Sequence, residues 1–200
     1  LDEPAWAKAY TWRATYPFSQ KERVDTPKTV WRITWDEKYL YFAFECEDTD
    51  VVSPKRKRDD HVYFDDCAEI MIMSEPRFRV YWELVVGPSG SIYDSIQCKK
   101  YDKWGADQYP EATMKGLLTG ISIDGTLNKS DDVDKGYTVE MAVPFSQLPG
   151  YSRALPKKGD KLRFVMIRLD RQGKRFAAYA FKPLLSWGHN IWDHATMVLQ

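Results

Sequence analysis

The chain has 200 residues, of which 44% are hydrophobic and 29% are charged, and Lys plus Arg balance Asp plus Glu at 29 each. This length and composition indicate one globular domain, large enough to fold without disulfides. A formal charge of zero argues against electrostatic binding of nucleic acids. No run approaches the roughly 20 apolar residues that a membrane-spanning helix needs.

Alternation of apolar and polar residues with a period of two dominates the chain and predicts β-strands. In chain order, the predicted strands are Thr29–Trp35, Lys38–Asp48, Ala68–Met73, Arg79–Val86, Ser91–Gln97, Gly116–Ile123, Tyr137–Val143, Lys161–Leu169, Arg175–Phe181 and Ala195–Leu199. Short helical turns are predicted at Glu3–Ala9 and Pro144–Leu148. About ten short strands separated by turn residues favour an all-β fold, a two-sheet antiparallel β-sandwich of jelly-roll type.

Aromatic residues make up 14% of the chain, which is an unusually high share. Such side chains either fill a β-core or stand on the surface as flat platforms for ligands. The sequence therefore predicts both a well-filled core and a surface on which aromatic rings meet a ligand.

Acidic residues close one predicted strand and precede the next. They are Glu45, Glu47, Asp48 and Asp50, followed by Asp59, Asp60, Asp65 and Asp66. If these strand ends adjoin, several hard oxygen ligands meet at one rim, which suits Ca²⁺. The same rim could supply the acid and base of a glycoside hydrolase, or it could be a set of solvated loop residues.

Glu69, Glu140 and Arg168 are charged residues that lie inside apolar strands. A carboxylate among apolar neighbours needs a partner, either a protein donor or a ligand hydroxyl. Because buried charges are seldom left single, we predict that Glu140 and Arg168 lie on neighbouring strands and form an ion pair.

A series of segments along the chain resembles a known family. They are Leu1–Ala9, Val30–Phe44 followed by Asp48, Asp66–Ile72, Tyr81–Leu84 followed by Gly87, Pro88 and Asp94, Gly136–Pro144, Arg168–Asp170 and Ser186–Trp187. In order and spacing they resemble family 9 of the carbohydrate-binding modules, within the wider DOMON-like superfamily. The resemblance spans nearly the whole chain and implies a β-sandwich that binds sugar without cleaving it.

The resemblance also implies a sugar site. Family members hold a mono- or disaccharide end between two aromatic side chains, and Trp187 and Tyr63 match these two positions. Glu69 matches a glutamate that contacts the sugar, and Trp192 is an alternative wall if the loop turns differently. The competing interpretation places Trp187 in the core and packs Tyr63 against Phe64.

The family's calcium positions and two departures complete the comparison. Asp48 and Asp66 match acidic positions near a structural calcium ion. Val85 aligns where the family carries an arginine, and Leu184 and Leu185 replace two amides that precede the clamp tryptophan. These departures weaken the expectation of tight reducing-end recognition.

Residues 1–200 are therefore predicted to form a single secreted or periplasmic domain that binds an oligo- or polysaccharide and is not an enzyme. A catalytic domain in the same or a neighbouring chain is the expected partner. Two alternatives stay open at this stage. One is a glycoside hydrolase that uses the acidic rim, and the other is a DOMON-like haem binder with axial ligands from Met71, Met73, His61 or His189.

Overall fold

The structure is a computed structural model and describes residues 1, 3–18, 26–74, 79–99, 106–151, 154–173 and 175–200. This part of the chain contains 13 strands and short 3-10 turns. The strands are β1 (Tyr10–Trp12), β2 (Tyr16–Pro17), β3 (Thr29–Trp35), β4 (Tyr39–Glu47), β5 (Cys67–Met73), β6 (Val80–Val86), β7 (Ile92–Lys99), β8 (Ala106–Tyr109), β9 (Leu118–Asp124), β10 (Gly136–Pro144), β11 (Lys161–Gln172), β12 (Arg175–Ala180) and β13 (Ala195–Val198).

The strands form two antiparallel sheets packed as a β-sandwich. The smaller sheet has the order β1-β3-β4-β10-β9. The larger sheet has the order β2-β12-β11-β5-β6-β7-β8, and β13 pairs with the first residues of β11. The core lies between the sheets, where Phe42 of β4 contacts Phe164 of β11 with ring centroids 6.3 Å apart. The predicted all-β sandwich is confirmed.

All ten predicted strands are present, with small differences at their ends. Three more strands, β1, β2 and β8, have two to four residues each. Strands of two to four residues carry at most two alternations, which is a weak signal, although the four-residue β13 was predicted. The predicted helical turns are confirmed as 3-10 turns at Trp6–Lys8 and Phe145–Gln147.

The predicted ion pair between Glu140 and Arg168 is wrong. Glu140 lies on β10 of the smaller sheet and is only partly buried, with its carboxylate 3.9 Å from the amino group of Leu1. Arg168 lies on β11 of the larger sheet and is fully buried. Alternation within a strand shows which residues share a face, but it does not show which sheet the strand joins.

The outer face of the larger sheet is covered over part of β5 and β11. Ile72 pairs with Phe164, so the even-numbered residues of β5 face the smaller sheet and the odd-numbered residues face outward. Glu69 and Met71 are nevertheless only 4% and 1% exposed. Residues 182–194, which we call the covering segment, cross this face. Its Gly188 approaches so closely that an added Cβ would lie 3.3 Å from Met71 Cε.

Candidate functional site

Four buried polar side chains line the outer face of the larger sheet. Glu69 of β5 lies opposite Val85 of β6, and Glu83 of β6 lies opposite Ser95 of β7. Gln97 is the next residue of β7 on the same face. Glu69 and Glu83 are 4% and 5% exposed, and Ser95 and Gln97 are fully buried. We call Glu69, Glu83, Ser95 and Gln97 the polar floor.

The two carboxyl groups of the polar floor are hydrogen-bonded to each other. Burial raises the pKa of Glu69 well above its ordinary value, and the charge of Glu83 raises it further. Burial also raises the pKa of Glu83, although its Oε2 accepts hydrogen bonds from Ser95 Oγ at 3.1 Å and Gln97 Nε2 at 2.5 Å. Because two adjoining buried carboxylates resist double ionisation, this acid pair holds a proton more tightly than a single exposed carboxyl group does.

Tyr81 and His189 border the acid pair. The Tyr81 hydroxyl lies 2.8 Å from His189 Nδ1, and His189 Nε2 lies 3.6 Å from Glu83 Oε1. Burial, followed by the charge of Glu83, raises the pKa of Tyr81, so its hydroxyl keeps its proton. The tautomer of His189 sets which of the two groups donates. His189 thus connects Tyr81 with Glu83.

Tyr63 and Trp187 lie toward opposite sides of the strand that carries Glu69. Tyr63 contacts Tyr93 of β7 with ring centroids 5.3 Å apart. Trp187 contacts Phe18, 5.0 Å away, and the Phe18 amide donates to a carbonyl of β12. In the sheet order, β5 lies between β12 and β7. The two aromatic side chains therefore flank the polar floor.

The two flanking rings differ in exposure. Trp187 is 51% exposed, so it is not a core tryptophan. Tyr63 is partly buried, and its ring contacts Phe64 at 4.9 Å and stacks on His61 at 5.3 Å with an interplanar angle of 19°. Trp187 thus has the more solvent-exposed ring, whereas the ring of Tyr63 packs against His61 and Phe64.

The carboxylate of Asp193 anchors the part of the covering segment that presents Trp187. Its Oδ2 accepts hydrogen bonds from the backbone nitrogens of Leu185 and Ser186, each at 3.0 Å, and from Asn190 Nδ2 at 3.1 Å. Three donors on one buried carboxylate oxygen fix the backbone immediately before Trp187. The exposed ring is therefore held on a rigid support.

A second anchor lies just after Trp187. Burial lowers the pKa of His194 to about 4, so the ring is neutral, and its Nε2 lies 2.8 Å from the Gly188 carbonyl oxygen, to which it donates. A Cβ at Gly188 would lie 2.4 Å from Ile167 Cδ1. The absence of a side chain at this position lets the covering segment rest directly on the sheet.

Trp192 lies over the other end of the same face. It is 67% exposed, and the guanidinium of Arg79 lies 5.3 Å from its ring centroid. Its carbonyl accepts a 3.2 Å hydrogen bond from Arg163, which pairs with Met73. Met73 is four residues along β5 from Glu69, or about 13 Å at roughly 3.3 Å per residue. Trp192 therefore lies toward the Met73 end of β5, away from Glu69.

A separate acidic cluster lies between the two sheets. Carboxylate oxygens of Asp48, Asp66 and Asp170 lie within 4.8 Å of one another, and all three residues are buried. Arg168 donates 2.9 Å hydrogen bonds to Asp48 Oδ2 and Asp170 Oδ2, which are the actual partners of this arginine. The structure thus brings the two predicted metal-binding aspartates together and adds Asp170.

Burial dominates the electrostatics of this acidic cluster. It raises the pKa of Asp48 to about 6, against the opposing effect of Arg168, and it raises the pKa of Asp170. Burial and the charge of Asp48 raise the pKa of Asp66 to about 8. Three carboxylates facing one guanidinium leave an excess of negative charge. An oxygen-only donor set of this kind fits a hard cation such as Ca²⁺.

The other acids of the predicted rim do not join this cluster. Glu45 and Glu47 form ion pairs on the surface of the smaller sheet with Arg32 and Lys28. Asp65 is buried, and its Oδ2 accepts a 3.0 Å hydrogen bond from the Lys55 backbone nitrogen. The rim as a whole is therefore not one site.

Comparison with known proteins identifies the family. Residues 1–180 match the carbohydrate family 9 binding domain-like family. The chain belongs to this family. Its members are non-catalytic carbohydrate-binding modules, so non-catalytic carbohydrate binding is the function and the hydrolase alternative is wrong. The haem-binding alternative receives no support from this match.

Solved structures share the fold at low sequence identity. A candidate carbohydrate-binding protein from Bacteroides uniformis superimposes with a TM-score of 0.72 at 13% identity, over 94% of this chain and 87% of that chain. A family 9 module from Caldicellulosiruptor kristjanssonii in complex with cellotriose gives a TM-score of 0.58 at 15% identity, over 89% and 74% of the two chains. The structure of such a module from the same organism in complex with glucose gives a TM-score of 0.65 at 13% identity, over 100% of this chain and 88% of that chain.

Neither a curated relative nor, in the part of the chain that the structure describes, a membrane-spanning helix is found. No curated protein sequence matches the chain. Among the described residues, no helix has the length and apolar character required to cross a membrane.

Sequence reasoning missed several residues that build these two clusters or anchor the covering segment. They are Glu83, Ser95, Gln97, Asp170 and Asp193. Glu83 stands in an apolar strand just as Glu69 does, so the same signal could have found it. Asp170 and Asp193 are ordinary acids next to turns, and only the tertiary structure shows that they are buried.

Proposed function

We propose that the outer face of the larger sheet binds the end of a carbohydrate chain. Trp187 and Tyr63 pack against the faces of the sugar rings, and Glu69 accepts hydrogen bonds from hydroxyl groups. Sugar rings have apolar C–H faces and polar edges, so aromatic walls around buried polar groups complement them. The observation that carries this proposal is the exposed Trp187 ring, held rigidly beside the polar floor.

Glucose and cellotriose are the first probes, because the Caldicellulosiruptor kristjanssonii modules are described in complex with these sugars. Trp187→Ala should reduce affinity for both sugars at least tenfold, measured by calorimetry and tryptophan fluorescence. Its melting temperature should change little, because half of the side chain is already exposed.

Trp192→Ala is the matched control for this test, since it removes an exposed tryptophan at the far end of the same face. It should leave glucose binding unchanged and weaken only the binding of longer chains. A Trp187→Ala variant that binds both sugars as tightly as the parent protein, or one that unfolds, contradicts the proposed role of Trp187.

We further propose that Asp48, Asp66 and Asp170 hold a structural Ca²⁺. Their excess negative charge and oxygen-only chemistry support this assignment. When bound, the ion supplies positive charge that allows all three carboxylates to ionise. Asp66 also accepts hydrogen bonds from the backbone nitrogens of Val52 and Arg171. It therefore links the cluster to the loop that follows β4 and to the end of β11.

The test of this calcium proposal is thermal denaturation of protein that elemental analysis shows to be metal-free. Calcium at 100 times its dissociation constant should stabilise the fold by about 2.7 kcal/mol, and magnesium should do so less. Asp66→Asn should lose this response. Asp131→Asn, at a side chain that is 79% exposed, should keep it. Identical melting curves with calcium and with chelator would rule the site out.

We also propose that the domain is secreted or periplasmic and works beside a catalytic domain that degrades glycans. The support is chemical, because a binding module without catalytic activity acts by holding an enzyme or a cell at its substrate. Cell fractionation with an antibody, and assay of co-purifying glycosidase activity, test the two parts. A cytoplasmic location contradicts the proposed secretion or periplasmic location. The absence of co-purifying glycosidase activity contradicts the proposed catalytic partner.

A further inference from the structure

The acid pair of Glu69 and Glu83 lacks a strong counter-charge. Buried carboxylates are seldom left without a cationic partner. Among the described residues, neither carboxyl forms a salt bridge to Lys or Arg, and the only basic group in contact is His189, 3.6 Å from Glu83. Across the strands, Glu69 faces the fully buried Val85, which carries no charge. Ionisation of either carboxyl therefore places a negative charge in an enclosed site without a lysine or arginine to balance it.

An independent observation shows that a hydrogen-bond donor is missing at the same place. Gln97 is fully buried, and its Oε1 has no hydrogen-bond partner. Its Nε2 donates to Glu83 Oε2 at 2.5 Å and to Ser95 Oγ at 2.9 Å, so the amide packs directly against the acid pair. An unsatisfied buried acceptor lowers stability, and a ligand donor would relieve this penalty.

The surroundings of the acid pair also suit a cation. Tyr63 and Tyr93 lie close enough to Glu83 for its charge to contribute to raising the pKa of both phenols, after the effect of burial. Tyr81 closes another side through its contact with His189. Aromatic rings attract cations to their faces, and the attraction strengthens where water is excluded.

We propose that this site selects a sugar that carries a protonated amino group over the same sugar with a hydroxyl or an acetamido group at that position. This inference rests on the proposed function and names its ligand class, an amino sugar such as glucosamine. An ammonium group has three N–H donors and no acceptor. It can therefore satisfy Glu69, Glu83 and Gln97 together while it supplies the missing charge. A hydroxyl offers one donor without charge, and an acetamido group is both neutral and larger.

The experiment compares three sugars with the unaltered protein by calorimetry: glucosamine, glucose and N-acetylglucosamine. At a pH of about 6, an amine with a pKa near the roughly 7.7 of an α-amino group is protonated. Glucosamine should bind at least tenfold more tightly than glucose, which corresponds to about 1.4 kcal/mol. N-acetylglucosamine should bind no better than glucose.

Glu83→Gln should lower the ratio of the affinity for glucosamine to the affinity for glucose from at least ten to about one. Glu37→Gln is the matched control, because Glu37 is exposed in the turn between β3 and β4 of the smaller sheet. It should leave the preference intact. The comparison on the unaltered protein decides the question even if the Glu83 variant does not fold. Equal affinity for glucosamine and glucose overturns this inference and leaves the proposed function standing. If neither these sugars nor cellotriose binds, the proposed function itself fails.

Discussion

Replacing Arg168 by methionine should lower the free energy of unfolding by about 3–5 kcal/mol, the usual loss when one partner of a buried ion pair is removed. The guanidinium is fully buried and donates 2.9 Å hydrogen bonds to Asp48 and Asp170. Without it, the carboxylates of the acidic cluster must repel one another or take up protons. For a domain of this size, 1 kcal/mol shifts the melting temperature by roughly 2–4 °C. The expected fall is therefore roughly 6–20 °C.

The assay is thermal denaturation at neutral pH in the presence of chelator. Arg32→Met is the matched control, since Arg32 forms a similar ion pair with Glu45 on the partly exposed face of the smaller sheet. Loss of that pair should cost at most about 1 kcal/mol. If the Arg168 and Arg32 variants lose equal stability, the burial argument for Arg168 is refuted. Calcium should restore less stability to the Arg32 variant than to the Arg168 variant, because only the latter has lost positive charge at the cluster.

Two further predictions concern pH and the covering segment. In chelator, stability should fall as pH rises from about 6.5 to about 8, because burial raises the pKa of Asp66 from 3.8 to about 8. Over this range the folded state holds a proton that the unfolded state has lost, while His194, with a pKa of about 4, stays neutral when folded. Urea denaturation of Asp66→Asn should show a smaller fall in stability over this pH range. An equal fall would contradict the attribution of the pH dependence to Asp66. Asp193→Asn should cost about 1–3 kcal/mol through weaker hydrogen bonds and should also lower sugar affinity, because Trp187 loses its support. If calorimetry finds the same sugar affinity in this variant as in the parent protein, the hydrogen bonds of Asp193 are not needed to position Trp187.

Much of the fold could be predicted because its longer strands bury one or both faces. Seven-residue strands such as Thr29–Trp35 repeat the alternating pattern often enough to be recognised, and the observed bounds of this strand are those predicted. Tyr16–Pro17 has only two residues, so its pairing with β12 depends on the sheet already being formed. The sequence also does not show which of the two sheets a strand joins, and the predicted pairing of Glu140 with Arg168 was wrong for this reason.

The sites were predictable only in part, and for a different reason. Asp48 and Asp66 were chosen by resemblance and do adjoin, but the third carboxylate comes from Asp170, more than 100 positions later in the chain. Glu69 was recognised as a carboxylate that needs a partner, and its partner proved to be a second acid, Glu83. A sequence shows that a buried charge requires compensation, whereas the identity of the compensating group depends on strand register.

In β5, β6 and β7, neighbouring positions face opposite sides of the larger sheet. The even-numbered Ile70 of β5 and Leu84 of β6 are fully buried toward the smaller sheet, whereas the polar floor occupies only odd-numbered positions. A substitution at Glu69, Glu83 or Gln97 therefore alters the surface that we propose faces the ligand, on the side of the sheet away from the packing between the sheets. In evolutionary terms, ligand preference can drift by single substitutions while the sandwich persists. A library restricted to Glu69, Glu83, Ser95 and Gln97 should accordingly yield folded proteins with different sugar preferences.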